Sequence, residues 1–193
     1  MGKNRKKEFE LINSIKAGDT SEFKILVEKY KEVSFSLACS ILKNEQDAED
    51  ALQESFIKAF SGLRKFNFKS SFSTWLYKIV VNTCKTKYSH QKISNRCVNF
   101  DAYQRIEIKE NNTPLEKMEV KQRKEAVNRI LDTIKPDESL LLRMFYLAEL
   151  SIKEIKEITN FNESKIKVTL WRARKSFYLQ LQKRYGPEIT QLT

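Results

Sequence analysis

Hydrophobic positions recur at helical spacing over most of this sequence, and the pattern is clearest between residues 72 and 92. The apolar side chains of that segment follow the i, i+4, i+7 spacing of a helix that packs on a core. They are Phe72, Leu76, Ile79, Val80 and Thr83. A separate polar stripe consists of Lys78, Asn82 and Lys85. The segment therefore reads as an amphipathic helix with one buried side and one cationic side.

The same spacing predicts three helices before this segment. They span residues 8–17, about 21–42, and from near Asp47 to Leu63. The acidic start of the third helix suits the positive end of a helix dipole. Its predicted buried face consists of Leu52, Phe56, Ala59, Phe60 and Leu63, and its opposite face carries Asp50, Gln53 and Glu54. Residues 8–92 are thus interpreted as four helices that share one core.

Periodicity is lost after this unit and returns near the C-terminus. Residues 94–120 mix asparagines, charges and a proline without a sustained pattern, which is typical of a flexible linker, helical only from about Leu115. A helix then runs from about Val127 to Ile134 and stops before Pro136. Asp137 is placed to cap the next helix, which extends to Ala148.

The last two helices have the strongest local signals. Ser151 and Glu154 have the spacing of a capping box at the start of a short helix. Asn160 lies in a tight turn, and Asn162 can cap a long helix. The core stripe of that long helix is Ile166, Leu170, Ala173, Phe177 and Leu181. A short helix, a tight turn and a long basic helix predict a helix-turn-helix.

These elements predict an all-α protein of two small helical domains joined by a flexible linker. The domains are residues 1–93 and 121–193, with the linker over 94–120. The outer side of the last helix carries candidate DNA contacts, namely Lys165, Lys167, Thr169, Arg172 and Arg174.

Charge points to a polyanionic partner. The 193 residues carry a formal net charge of +11. Between Ser55 and Phe100 there are nine lysines and arginines and no acidic residue. Nucleic acid suits this distribution better than a membrane, because no apolar run approaches the ~18 residues of a spanning helix. The N-terminus lacks the apolar segment of a secretory signal, so we expect a cytoplasmic protein without membrane insertion.

The sequence contains no residue pattern that indicates a catalytic site. The cysteines Cys39, Cys84 and Cys97 have no metal-binding or redox spacing, and His90 is the single histidine. The four glycines are far apart and form no phosphate-binding loop. We therefore expect no metal, no cofactor and no enzymatic activity.

Four segments fall in the order and spacing of one known family. They are KAGDTSEF, DAEDALQESFIKAF, FSTWLYKIVVNTCK and the series LS-x-x-EI … WRARK. The chain resembles bacterial RNA polymerase sigma factors of the extracytoplasmic-function (ECF) group of the sigma-70 family, over roughly residues 10–182. The resemblance implies that the first domain binds the polymerase clamp and the minus-ten element. It implies that the second domain reads the minus-thirty-five element.

The resemblance also assigns residues. Asp50, Gln53 and Glu54 match the family's D-x-x-Q-E clamp-binding motif. The minus-ten residues are Lys69, Ser70, Ser71 and Asn82, where the family captures a flipped base, together with Lys78 and Lys85 on the same helix. The implied partners are core RNA polymerase, promoter DNA and an anti-sigma factor.

Three features differ from the wider family. Lys78 and Ile79 stand where primary sigma factors carry an aromatic pair; members of the ECF group also lack that pair, and the resemblance implies limited melting power and strict promoter choice. The loop before Phe72 reads KFNFKSS in place of the more usual version with Arg and Gly, so the resemblance does not assign its base preference. Asn160, Phe161 and Asn162 replace the usual Gly-Ile-Ser turn, so the bases read by the last helix cannot be inferred.

Two other functions remain open at this point. A conventional helix-turn-helix regulator that does not join polymerase would explain the last helix, but not the acidic motif of residues 50–54. A nucleic-acid enzyme would need clustered carboxylates for metal ions, and the only acidic cluster is residues 45–54.

Overall fold

The computed structural model of the chain describes residues 3–95 and 120–186, and every regular element in these ranges is helical. The eight α-helices are α1 (Lys3–Ala17), α2 (Phe23–Leu42), α3 (Glu45–Gly62), α4 (Phe72–Asn95), α5 (Val120–Thr133), α6 (Pro136–Leu142), α7 (Ile152–Thr159) and α8 (Glu163–Tyr185). Short 3-10 turns occupy Thr20–Glu22 and Leu63–Lys65. The all-α prediction is confirmed. Most of the predicted linker, including its expected helical start near Leu115, lies outside the described residues.

Helix α4 is central to the packing, with neighbours α2, α3 and α7. The predicted apolar face is buried at Phe72, Leu76, Val80 and Thr83, while Ile79 is half-buried. A second set is buried as well, because α4 is covered on more than one side. It consists of Thr74, Tyr77, Val81 and Cys84.

The buried face of α3 agrees with the prediction in part. Its fully buried side chains are small, namely Ala48, Ala51, Ser55 and the predicted Ala59, and the predicted Leu63 is buried just after the helix. Phe56 is half-buried and packs against the core. Phe60 is 41% exposed, and its ring contacts the ring of Phe23 with 5.0 Å between centroids. Small residues let α3 lie close to its neighbours α2 and α4, which leaves the large Phe60 ring at the edge of the packing.

The helix predicted from Asp137 to Ala148 is interrupted. Pro136 occupies the first turn of α6, where a missing N–H costs nothing, and Asp137 follows inside that turn rather than capping it. After Leu142 the backbone forms a π-helical turn over Arg143–Leu147, closed by the N–H of Ala148 donating to the carbonyl of Arg143 at 2.9 Å.

The two halves of the chain pack against each other, since α6 and the π-helical turn contact α2 while α7 contacts α4. Arg143, 2% exposed, lies at this contact. Its guanidinium donates to Asp132 at 2.7 Å, to Asn128 at 3.0 Å and to Ser36 of α2. Burial lowers the pKa of Arg143, although the Asp132 carboxylate opposes that shift. The division into independent domains stays a prediction.

Candidate polymerase and nucleic-acid interfaces

The acidic motif forms an exposed surface on α3. Asn44 caps this helix, since its side-chain Oδ1 accepts a hydrogen bond from the N–H of Asp47 at 2.9 Å. Asp50, Gln53 and Glu54 are all exposed on one side, and we call them the α3 acidic face. The i, i+3, i+4 spacing predicted that they would be presented together.

Two lysines and one apolar side chain complete this surface, and the sequence reasoning missed all three. Lys58 pairs with Glu54 at 2.6 Å, and Lys87 of α4 pairs with Asp50 at 3.2 Å. Exposed pairs of this kind contribute little to stability, so a partner can replace them. Ile57 is 67% exposed and lies one turn beyond the acidic face. Its position three residues after Glu54 was the available signal.

The loop before α4 is held by aromatic packing. Phe68 has a positive φ of 59°, and its ring packs on Phe66 and Phe9 with centroid distances of 4.9 and 4.6 Å. In the same loop Lys69 is exposed and Ser70 is half-buried. These contacts fix the loop that contains the predicted base-capture residues.

Ser71 has a structural role at the start of α4. Its Oγ accepts from the backbone N–H of Thr74 at 3.1 Å, which is the bond expected of a helix cap. The same Oγ lies 2.7 Å from Thr74 Oγ1 and 2.9 Å from Ser73 Oγ. Three hydroxyl groups therefore cluster at the first turn of α4, and only Ser71 among them was a predicted site residue.

The polar stripe of α4 is not uniformly accessible. Asn82 is exposed, whereas Lys78 and Lys85 are half-buried. Lys85 Nζ donates to the carbonyl of Thr159 at 3.5 Å and lies 5.8 Å from the ring centroid of Phe161. The end of α7 and the following turn thus cover part of the predicted minus-ten surface.

The helix-turn-helix forms with the predicted caps. Ser151 and Glu154 make a complete capping box at the start of α7. Asn160 ends α7 in the left-handed conformation with φ of 61°, which asparagine tolerates well. Asn162 then caps α8 by accepting from the N–H of Lys165 at 2.7 Å. The core stripe of α8 is buried at Ile166, Leu170 and Ala173.

The predicted DNA contacts on α8 divide between two flanks of the helix. Lys165 and Arg172 are exposed and seven residues apart, with Lys165 Nζ 3.4 Å from the ring centroid of Phe161. Lys167 and Arg174, also seven apart, lie on the opposite flank, and Thr169 is half-buried. Arg174 is engaged within the protein, since its Nε donates to the hydroxyl of Tyr146 at 2.8 Å.

Sequence reasoning missed the residues that lie between those flanks. Val168 and Trp171 are 47% and 62% exposed, and Lys175 lies above the Trp171 ring at 5.8 Å. An exposed tryptophan on a surface helix is a costly apolar surface that suits a partner. Trp171 directly follows a residue of the core stripe, so helical spacing turns its side chain away from the core. That spacing was the signal that could have identified it.

The two described thiols are protonated, and the described acids form no metal-binding group. Burial raises the pKa of the Cys39 thiol to about 11 and that of the Cys84 thiol to about 12, so both stay protonated at neutral pH. Residues 3–95 and 120–186 contain no group of three histidine, cysteine or carboxylate side chains placed to hold a metal ion. None of the described helices is long and apolar enough to cross a membrane.

Comparison with protein-family models identifies the N-terminal half. Residues 26–93 match the Sigma-70 region 2 family. This segment is similar to the sigma-70 region 2 domain. It contains most of α2, all of α3 and nearly all of α4, and therefore includes the α3 acidic face and the α4 polar stripe.

Similarity to known proteins extends beyond the region 2 domain. The chain is 29% identical over 178 residues to the ECF RNA polymerase sigma-E factor of Salmonella typhimurium, with 89% of this chain and 93% of that protein covered. It is 28% identical to the factor of the same name from Escherichia coli K12, with the same coverage. The ECF sigma-factor resemblance inferred from the motifs is confirmed.

Two solved structures share the fold. CnrH, in complex with the cytosolic domain of CnrY, matches with a TM-score of 0.60 at 17% identity and covers 90% of this chain and 96% of its own. The sigma factor RpoE of Bartonella quintana, in complex with the anti-sigma factor NepR, matches with a TM-score of 0.61 at 20% identity. That match covers 83% of this chain and 97% of RpoE.

Proposed function

We propose that this chain is an alternative sigma factor, which binds core RNA polymerase and directs promoter-specific transcription initiation. The observation that carries the proposal is similarity to ECF sigma-E factors over 89% of the chain, which spans both halves and not the region 2 domain alone. A sigma factor of this kind has no catalytic site of its own and works in the cytoplasm beside polymerase.

Each exposed surface has a role in this proposal. The α3 acidic face binds a basic surface of the polymerase clamp, with Ile57 supplying an apolar contact beside the charges. Lys69, Ser70, Ser71, Lys78, Asn82 and Lys85 bind the minus-ten element. Asn82 supplies the donor and acceptor that a flipped base requires.

The second half supplies upstream recognition. Helix α8 enters the major groove of the minus-thirty-five element, with Lys165, Lys167, Thr169 and Arg172 on its flanks. Val168 and Trp171 offer apolar surface to thymine methyl groups. Arg174, whose Nε donates to the hydroxyl of Tyr146 at 2.8 Å, is the fifth candidate contact to this element. An anti-sigma factor is a further expected partner, as in the complex of the structurally similar RpoE.

The test is a competition assay for core polymerase. Reversing the charge of Glu54 with Glu54→Lys places like charges opposite each other if the clamp surface is basic. We expect wild-type chain to bind core polymerase and Glu54→Lys to bind at least tenfold more weakly. Because Glu54 is exposed, the variant should change the free energy of unfolding by about 0.5 kcal/mol or less.

Glu28→Lys is the matched control for this assay. Glu28 is an exposed acid of α2 that pairs with Lys31 at 2.5 Å, as Glu54 pairs with Lys58, so the charge change is equal while the α3 acidic face stays intact. Equal binding by both variants would show that α3 is not the anchor. Failure of the wild-type chain to bind core polymerase would refute the sigma-factor proposal and favour a stand-alone helix-turn-helix regulator.

A further inference from the structure

One helix of the C-terminal half, α7, lies along the side of α4 that carries the predicted minus-ten residues. At the start of α7, Glu154 Oε1 accepts from the hydroxyl of Thr74 at 3.0 Å. At its end, the carbonyl of Thr159 accepts from Lys85 Nζ at 3.5 Å. Both ends of α7 are therefore held by polar groups of α4.

Both oxygens of the Glu154 carboxylate accept hydrogen bonds. Its Oε2 accepts from the N–H and the hydroxyl of Ser151 at 2.9 and 2.7 Å within the capping box. Its Oε1 faces Thr74 and, at 3.5 Å, the hydroxyl of Ser71. Partial burial acts to raise the pKa of Glu154, but hydrogen bonds from Ser151, Thr74 and Ser71 outweigh it and hold that pKa below its usual value.

Helix α7 presents negative charge to α4 at both contacts. One contact is a carboxylate, and the other is a carbonyl at the C-terminal end of a helix, where the helix dipole is negative. These groups occupy the hydroxyls of Ser71 and Thr74 and the ammonium of Lys85. Hydroxyl and ammonium donors at the start and along one side of α4 are the groups that a DNA strand would otherwise use.

These donors are covered wholly or in part. The side chain of Thr74 has no exposed surface, and Ser71, Lys78 and Lys85 are all half-buried. A nucleic-acid strand cannot reach Thr74 or the covered side of Lys85 while α7 is in place. Asn82 remains exposed, so only part of the predicted minus-ten surface is available in this arrangement.

We propose that α7 is an intramolecular inhibitor, which occupies the minus-ten site of the free chain and must leave α4 before single-stranded promoter DNA binds there. The proposal rests on the proposed function, because the minus-ten role of α4 is part of it. The occupant of the minus-ten site is a segment of this chain, and the central group of the contact is the Glu154 carboxylate.

The closed arrangement can be measured without attaching a probe, because it brings together an ion pair between the two halves of the chain. Lys124 of α5 and Glu32 of α2 are exposed and 2.6 Å apart. A carbodiimide joins such a pair into an amide, and peptide mass spectrometry measures the yield. The pair of Lys29 and Glu8 lies within the N-terminal half and supplies the reference yield in the same digest.

The decisive variant is Glu154→Gln. Glutamine still satisfies a capping box, so α7 keeps its start, but the neutral amide loses the charge-assisted bonds from Thr74 and Ser71. Glu157→Gln is the matched control, since Glu157 is exposed on the same helix and the change in net charge is identical. Both variants are made in the full-length chain.

Two readouts are expected to separate these variants. In Glu154→Gln the ratio of Lys124–Glu32 coupling to Lys29–Glu8 coupling should fall about threefold, while Glu157→Gln resembles wild type. The affinity for a fluorescent pool of random 12-nucleotide single strands should rise about tenfold in Glu154→Gln, because the binding-competent fraction increases. Adding Asn82→Ala to Glu154→Gln should abolish that gain, which locates it on α4.

Three results would overturn the proposal. The first is equal coupling ratios and equal DNA affinity in Glu154→Gln and Glu157→Gln. The second is a wild-type coupling ratio that stays unchanged when the DNA pool is saturating. The third is a gain in affinity that survives Asn82→Ala, which would remove the minus-ten role of α4. Binding to core polymerase is measured in parallel. If the inhibitor proposal fails but polymerase binding is observed, the sigma-factor proposal stands. If polymerase binding is absent, the sigma-factor proposal fails as well.

Discussion

Asn82 is an exposed amide on a helix whose neighbouring polar side chains, Lys78 and Lys85, are half-buried. Its exposure means that truncation removes polar groups without opening a cavity. We expect Asn82→Ala to leave the free energy of unfolding within about 0.5 kcal/mol of wild type. It should reduce open-complex formation on a promoter, because one edge contact to an unstacked base is lost. Permanganate footprinting of the melted region measures this.

Gln91→Ala provides the comparison for that experiment, since Gln91 is a half-buried amide further along α4 that was not assigned to the site. Both variants should bind core polymerase like wild type, which separates a DNA effect from an assembly effect. A normal footprint for Asn82→Ala would remove this residue from the proposed minus-ten site.

At the scale of the element, the N-terminal part of α8 and the part that follows it have different expected roles. Lys167 lies in the N-terminal part of the helix, where a helix-turn-helix meets base edges. We expect Lys167→Ala to change sequence preference, at about 1–3 kcal/mol for a good base contact. Arg172→Ala should weaken all duplexes alike and flatten the salt dependence of binding by about one unit of slope.

Titration of a duplex library at several salt concentrations distinguishes these two effects. Lys183→Ala serves as the reference, because Lys183 is exposed in the last turn of the same helix, far from its N-terminal end. If all three variants lose the same affinity for every sequence and salt concentration, the division of α8 into base-reading and phosphate-binding parts is wrong.

At the scale of the whole molecule, the two halves share an interface that includes the buried Arg143 and its bonds to Asp132 and Ser36. The loss of periodicity after residue 93 predicts that limited proteolysis cuts first between about Ser94 and Thr113 and yields two folded fragments. Because of the shared interface, we expect these fragments to elute together in size-exclusion chromatography at low salt.

Arg143→Met tests the interface in the same assay. Methionine fills much of the volume but cannot donate to Ser36 of α2, so the nicked fragments should separate more readily than those of wild type. Circular dichroism of the intact variant checks that the helices persist. Initial cleavage within residues 20–90 would contradict the domain boundary.

The local sequence was sufficient for the elements and for much of the site. Helical periodicity located all four N-terminal helices, and caps such as Asn162 and Ser151 marked where later helices begin. These signals act within a few residues, so they can be read without knowing the fold. The exposure of Asp50, Gln53 and Glu54 on one side of α3 was predictable for the same reason. Their roles in binding stay predictions.

Only the tertiary structure decided which polar surfaces are covered. Nothing near Thr74 in sequence indicates that its hydroxyl binds Glu154, a residue 80 positions away. Likewise, Phe60 was expected in the core but is 41% exposed, because the face of α3 that packs closely on its neighbours consists of small residues. Helical spacing determines which residues share a face, whereas the partner of that face depends on how distant helices pack. The sequence therefore specified the helices and their faces, and long-range packing placed α7 against α4.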